Sequence, residues 1–273
     1  MEEKVLFAFG LTLFAGLSTG IGSALAIFTK TTNTKFLSWA LGFSGGVMIY
    51  VSFTEILGKS RDILTGIYGN VAGNWYAVIS FFGGVFIIAL IDFLIPSFEN
   101  PHEAHRVEEL VTDNKSNNRN KGVNGLLRMG IFIALAIAIH NFPEGIATFT
   151  AGITDTQIAI PIAVAIAIHN IPEGIAISIP IYYATGRKRK AFILSFLSGL
   201  AEPLGALIGY SLLYVFVGDT MLGILFGSVA GVMVFISVDE LLPTAREYGY
   251  HHYAIFGLIF GMVIMAISLL LFL

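Results

Sequence analysis

The chain has 273 residues, of which 56% are hydrophobic and only 12% are charged, and its formal net charge is −3 at pH 7. A mean hydropathy of +0.82, together with repeated apolar runs longer than about 18 residues, excludes an ordinary soluble domain and indicates a polytopic membrane protein. The chain has no cysteine, which excludes thiolate metal ligands and leaves the redox compartment unreadable.

Hydropathy predicts an all-α membrane protein, a single transmembrane domain over residues 1–273 with eight transmembrane helices. The first apolar run has neither a basic flank nor a small-residue cleavage site, so we expect it to be a true span. The connections are short except for residues 96–128, which are polar and Asn-rich and predict a mobile cytoplasmic loop. In chain order the predicted spans are Val5–Phe28, Phe36–Leu57, Trp75–Ile95, Gly130–Gly152, Ile158–Tyr182, Ala191–Val217, Met221–Leu242 and Tyr253–Leu273.

The basic residues predict the orientation. If both termini lie outside, only Lys4, Lys59 and Arg61 are external, and the other twelve of the 15 basic residues are cytoplasmic. This bias is the positive-inside signature. The twelve are Lys30, Lys35, Arg106, Lys115, Arg119, Lys121, Arg128, Arg187, Lys188, Arg189, Lys190 and Arg246.

The sequence also repeats itself. Gly46–Leu57 of the second span aligns without a gap to Gly231–Leu242 of the seventh, and the third span shares spaced Tyr-Ala, Gly and Ala residues with the eighth. The first and sixth spans share a weaker glycine pattern, which membrane composition alone would also explain. Five spans separate each matched pair, so the two triplets cross the membrane in opposite senses. The pattern predicts a 3+2+3 arrangement, an inverted repeat of helices 1–3 and 6–8 around helices 4–5.

Two related motifs lie in the fourth and fifth spans, His-Asn-Phe-Pro-Glu-Gly at His140–Gly145 and His-Asn-Ile-Pro-Glu-Gly at His169–Gly174. In each motif His and Glu are four residues apart, on one face of a helix. Imidazole nitrogen and carboxylate oxygen are ligands for Zn²⁺, Fe²⁺ or Mn²⁺. Inserting an ionised side chain at mid-bilayer depth costs roughly 2.5–3.5 kcal/mol, so such residues in a span usually have a functional role. Each proline removes one helical hydrogen bond and bends the helix. The pair therefore predicts an intramembrane metal site.

Other acidic residues carry weaker signals. Glu202 precedes a proline in the Ala-Glu-Pro-Leu-Gly stretch of the sixth span, where it is either a further ligand or a carboxylate that reaches water from a helix end. Glu55 and the pair Asp239–Glu240 stand near the ends of the second and seventh spans. They fit a pore entrance and exit or simple interfacial caps equally well.

The doubled HNxPEG motif, the AEPLG stretch and the basic loop after the third span resemble the ZIP family of divalent-metal transporters, over essentially the whole chain. The resemblance implies uptake of Zn²⁺, and also of Fe²⁺, Mn²⁺ and Co²⁺, from outside to cytoplasm across a bacterial inner (plasma) membrane, with no enzymatic activity and no prosthetic group. It implies the same 3+2+3 arrangement and a binuclear metal centre. One metal would be bound by His140, Glu144, His169 and Glu173, and the second by Asn141, Asn170 and Glu202, with Glu144 and Glu173 shared as bridges.

The chemistry of these residues agrees with that implication. Two shared carboxylates reduce the repulsion between two dications, and the asparagines add neutral oxygens, so that the second site is harder and releases its ion more readily. The expected partners are divalent metal ions, the lipid bilayer and a second copy in a homodimer; no nucleic acid is expected. His102 and His105 in the long loop are either metal ligands at the pore exit or part of a solvated linker. His251 and His252 are predicted to be surface residues.

Two other functions are compatible with buried His and Glu. An intramembrane metalloenzyme is disfavoured because the spacing is neither the HExxH of zinc proteases nor the Glu-x-x-His of di-iron proteins. A cation or proton antiporter would use the carboxylates as proton carriers. Proton flux without added metal would distinguish it from a metal transporter.

Overall fold

The computed structural model describes residues 2–28, 34–94, 119–154, 156–216, 218–247 and 249–271, and no strand occurs among them. The predicted all-α class is confirmed. In chain order the helices are α1 (Glu2–Phe28), α2 (Thr34–Val51), the π-helical segment π1 (Ser52–Ile56), α3 (Leu57–Leu94), α4 (Arg119–Thr154), α5 (Thr156–Thr185), α6 (Lys188–Gly199), α7 (Ala201–Phe216), α8 (Asp219–Ile236), the π-helical segment π2 (Ser237–Leu241), α9 (Leu242–Glu247) and α10 (His251–Leu271).

Six helical segments within the described residues are long and apolar enough to cross a membrane. Their outer faces expose large apolar side chains, for example Phe93 at 84% and Leu271 at 76%, as expected for helices surrounded by lipid. The chain is therefore a multi-pass membrane protein. The six segments are Glu3–Ile27, Ser38–Phe93, Ala159–Ile179, Lys188–Ser211, Asp219–Arg246 and His251–Leu271.

Two predicted connections differ from the structure. Residues 58–74, predicted to connect the second and third spans, are helical up to Gly69, whose φ of 77° and ψ of 168° interrupt α3. This region of conformational space is accessible almost only to glycine, so the chain changes direction there. The predicted loop at residues 96–128 is also too long, because α4 already begins at Arg119. The rest of that loop, with His102 and His105, lies outside the described residues.

The segments π1 and π2 occupy matching places in the aligned stretches Gly46–Leu57 and Gly231–Leu242. Each begins with a serine whose hydroxyl donates to the carbonyl four residues earlier, from Ser52 to Met48 at 2.6 Å and from Ser237 to Met233 at 2.7 Å. Such hydroxyl bonds compete with the helical ladder and favour local widening. Glu55 lies in π1, and Asp239 and Glu240 lie in π2.

Glycines set the closest helix contacts. Gly46 of α2 lies against the Leu258 carbonyl of α10, and Gly231 of α8 lies against the Phe81 carbonyl of α3. Because glycine has no side chain, two helix backbones can approach this closely, and helices in membranes commonly pair in this way. The same device joins α1 to α5 and α4 to α7 around the two motifs.

Candidate metal site

Both motifs lie inside continuous helices, the first in α4 and the second in α5. The His–Glu spacing therefore does place each pair one helical turn apart. The side chain of His140 is outside the described part of the structure. The other six predicted ligands are completely buried, with an exposed fraction of 0% each; they are Asn141, Glu144, His169, Asn170, Glu173 and Glu202.

His169 of the second motif contacts Glu144 of the first. Its Nε2 lies 3.3 Å from Oε1 and 3.4 Å from Oε2 of the Glu144 carboxylate. The contact spans the α4–α5 interface and brings an imidazole and a carboxylate together away from solvent. One predicted ligand of each motif thus lies in the same buried space.

Glu202 joins the second motif from α7. Asn170 Nδ2 donates to Glu202 Oε2 at 2.9 Å and to the Ala15 carbonyl of α1 at 2.9 Å. Asn141 Nδ2 donates to the Ser198 carbonyl at 3.2 Å. The amide nitrogens are therefore oriented by hydrogen bonds to their surroundings, which leaves the amide oxygens on the other side of each group.

Three oxygens at this site have no hydrogen-bond donor among the described residues. They are Asn141 Oδ1, Asn170 Oδ1 and Glu202 Oε1, and all three are buried. A buried oxygen without a donor costs about 1–3 kcal/mol, so these three oxygens favour a bound partner such as a cation. Amide and carboxylate oxygens are metal ligands that suit a hard or borderline divalent cation.

Charge at the site has the sign that a cation requires. Three carboxylates, those of Glu144, Glu173 and Glu202, are completely buried in this region. Ser44 of α2 donates to Glu173 Oε1 at 3.4 Å. Nevertheless, no three His, Asp or Glu side chains within the described residues converge closely enough to hold one metal ion. The described donors meet in pairs, His169 with Glu144 and Asn170 with Glu202.

Comparisons with known proteins identify the family of the chain. The family model described as ZIP Zinc transporter matches residues 96–269, which is more than half of the chain. The chain belongs to the ZIP family. A zinc transporter ZupT of Clostridium perfringens is 59% identical over 277 residues, covering 99% of this chain and 97% of that protein. Proteins of the same name from Chlorobium chlorochromatii and Lysinibacillus sphaericus are each 59% identical, over 100% and 99% of both chains respectively.

Membership of the ZIP family makes the chain a transporter and not an enzyme. The intramembrane metalloenzyme is thereby excluded. In this ZIP chain the HNxPEG motif also has a packing role, since its last residue is a glycine in contact with a neighbouring backbone. Gly145 lies against the Glu202 carbonyl and Gly174 against the Thr19 carbonyl.

Other residues singled out from the sequence lie elsewhere in this ZIP fold. Glu240 is buried, with 6% of its surface exposed, whereas His251 and His252 are exposed beside each other with ring centroids 5.5 Å apart. The exposure agrees with the surface role predicted for the two histidines. For Glu55, Asp239 and Glu240, a pore entrance and exit and interfacial caps both stay predictions.

Sequence reasoning missed two hydroxyl residues beside the ZIP motifs, Ser44 and Thr19. Ser44 stands among glycines in an apolar helix, and nothing in its neighbourhood indicates a contact with Glu173. Thr19 had a usable signal. When Gly16 and Gly22 are aligned with Gly199 and Gly205, Thr19 aligns with Glu202.

Proposed function

We propose that the protein transports Zn²⁺ from outside into the cytoplasm across a bacterial inner membrane, with Fe²⁺, Mn²⁺ and Co²⁺ as further cargo. The observation that carries the proposal is the buried contact between His169 and Glu144, beside carboxylate and amide oxygens that have no donor within the described part of the chain. Desolvated ionisable groups at this depth are too costly to be retained for packing alone. Similar proteins named zinc transporter ZupT give further support.

The proposed site holds two metal ions. His140, Glu144, His169 and Glu173 would bind one, and Asn141, Asn170 and Glu202 the other, with Glu144 and Glu173 bridging. The Glu144–His169 distances support the first set, and the Asn170–Glu202 hydrogen bond supports the second. Two dications against three carboxylates leave a small residual charge, which a low-dielectric environment tolerates better than the charge of three carboxylates without metal.

We infer eight membrane crossings in the 3+2+3 order. The segment Ser38–Phe93 has 56 residues and would be about 84 Å long as one helix, against a hydrocarbon core of about 30 Å. Its interruption at Gly69 fits two crossings. The 36 residues of α4 are also long enough for one crossing.

The matched π segments support the inverted repeat, as do the matched contacts of Gly46 with Leu258 and of Gly231 with Phe81. If α2 corresponds to α8 and α3 to α10, each of these contacts is the counterpart of the other. Two hydrogen bonds agree with the crossing order, because each joins two segments that this order places on the same side of the membrane. Tyr68 hydrogen-bonds Thr220 at 3.0 Å near one end, and Ser38 donates to the Ala245 carbonyl at 2.6 Å near the other.

Orientation can be tested directly because the chain contains no cysteine. Single cysteines at three exposed positions, Glu3→Cys, Asn70→Cys and Arg189→Cys, should be treated with a membrane-impermeant maleimide in intact cells. We expect the first two to be labelled and the third to be labelled only after permeabilisation, because three crossings separate residues 70 and 189. Labelling of Arg189→Cys alone would invert the proposed orientation.

The transport proposal is tested with purified protein in proteoliposomes. We expect saturable uptake of Zn²⁺, competed by Fe²⁺, Mn²⁺, Co²⁺ and Cd²⁺ at fixed pH. Uptake should fall as the pH is lowered from about 8 to 5, because protons compete with metal for imidazole and carboxylate. A rate that stays flat over this range would argue against His ligation. Saturable proton flux without metal would instead favour the antiporter.

A further inference from the structure

The hydroxyl group of Thr19 in α1 is buried beside the two motifs. The residue is completely buried, and its Oγ1 has no hydrogen-bond partner among the described residues. A buried threonine in a helix ordinarily donates to the carbonyl of the preceding turn. Thr12, two turns earlier on α1, does so to Ala8 at 2.9 Å. Unlike the hydroxyl of Thr12, the buried hydroxyl of Thr19 therefore makes no hydrogen bond within the described residues.

Thr19 lies beside the candidate metal site. Its carbonyl contacts Gly174 at the end of the second motif. Its side chain fills the space next to Gly199, where an added Cβ would come within 2.8 Å of Thr19 Cβ and 2.9 Å of Oγ1. The preceding carbonyl, that of Ser198, is the one that accepts the hydrogen bond from Asn141. Thr19 and Asn141 thus approach the same turn of α6.

Matched contacts relate Thr19 to Glu202. The approach of Gly174 to the Thr19 carbonyl has its counterpart in the approach of Gly145 to the Glu202 carbonyl. The bond from Asn170 to the Ala15 carbonyl likewise corresponds to the bond from Asn141 to the Ser198 carbonyl. In each pair, one contact joins the second motif to α1 and the other joins the first motif to the α6–α7 region. Thr19 therefore occupies, in one half, the place that Glu202 occupies in the other.

We propose that Thr19 Oγ1 is a neutral oxygen of the second cation position and helps to set its metal preference. The inference rests on the transport function proposed above. Glu202 extends far enough to accept a hydrogen bond from Asn170 Nδ2, whereas the Oγ1 of the shorter Thr19 has no hydrogen-bond partner among the described residues. One side of the position is anionic and the other neutral. A hydroxyl adds a hard oxygen without adding charge, so it helps an oxygen-preferring ion to bind without preventing its release.

The test compares metal binding and uptake by three purified variants. Thr19→Val keeps the shape and removes the oxygen, Thr19→Ser keeps the oxygen, and Thr12→Val makes the same change at a buried position of α1 outside the site. Dissociation constants are measured with Mn²⁺ alone and with Zn²⁺ alone. We expect Thr19→Val to weaken Mn²⁺ binding about tenfold and Zn²⁺ binding less than twofold, because Mn²⁺ depends more on oxygen ligands. Thr19→Ser and Thr12→Val should match the wild type.

Several results would overturn the proposal. Unchanged constants for both metals in Thr19→Val would show that the hydroxyl does not reach the ion. Equal losses in Thr19→Val and Thr12→Val, or a loss of uptake rate with unchanged binding, would indicate helix packing. The Glu144→Ala, Glu173→Ala double variant separates this failure from that of the function. If it loses uptake while Thr19→Val binds normally, only the role of Thr19 is wrong.

Discussion

Zinc uptake is expected to fall below detection when Glu144 and Glu173 are both replaced by alanine. Each carboxylate is fully buried, Glu144 contacts His169, and both are proposed to bridge the two metal ions. Loss of a residue that merely orients a metal ligand costs 10- to 100-fold in affinity, so loss of two bridging ligands should cost more than about 1,000-fold. The measurement is the initial rate of radioactive zinc uptake into proteoliposomes containing equal amounts of protein.

The same variant should insert and fold. Alanine removes two buried negative charges, which offsets the lost contact of Glu144 with His169, so we expect the metal-free variant to remain folded, as its melting temperature will show. Zinc at 100 times its dissociation constant should stabilise the wild type by about 2.7 kcal/mol and leave the variant unchanged. Thr150→Ala is the matched control, since this buried residue of α4 donates to the Ile146 carbonyl at 2.6 Å, outside the proposed ligand set. Wild-type uptake by the double variant would remove the core of the proposed function.

The positions of the two motifs could be predicted because their information is local. Four-residue spacing on a helix fixes a shared face whatever surrounds it, and the structure indeed has both motifs inside helices. The contact of Glu144 with His169 was also predictable, since two buried ionisable groups in adjacent apolar spans have few partners except each other. The hydrogen bond from Ser44 to Glu173 was not, because it depends on how α2 packs against α5.

Helix ends were harder to predict from hydropathy. Lys59, Arg61 and Asp62 end the apolar run of the second span, yet α3 continues past them. Outside the lipid, water solvates charged side chains, while the helical backbone stays hydrogen-bonded until Gly69 adopts its positive φ. The polar start of α4 at Arg119 was missed for the same reason. Hydropathy detects the part of a helix in lipid and not where the helix ends.

The last residue of each motif should be as intolerant of change as its ligands. A Cβ added at Gly145 would overlap the Glu202 carbonyl group, lying 2.6 Å from its carbon, and one at Gly174 would overlap the Thr19 carbonyl in the same way. Backbone atoms cannot rotate aside, so the helices must separate. We expect Gly145→Ala to lower the free energy of unfolding by about 1–3 kcal/mol and to reduce zinc uptake at least about tenfold. Thermal unfolding and uptake are measured on the same preparation.

Matched glycines distinguish this mechanism from a general effect of replacing glycine in a helix. At Gly10 of α1 and Gly83 of α3 an added Cβ would meet no described atom within 4 Å apart from its own helix backbone, so alanine there should leave uptake unchanged and stability equal or slightly higher. The loss in Gly145→Ala should include uptake, because moving α4 away from α7 separates the proposed ligands of the first motif from Glu202. A Gly145→Ala protein with wild-type melting temperature and uptake would contradict the close packing of α4 on α7. It would also leave the terminal glycine of the motif without a structural reason.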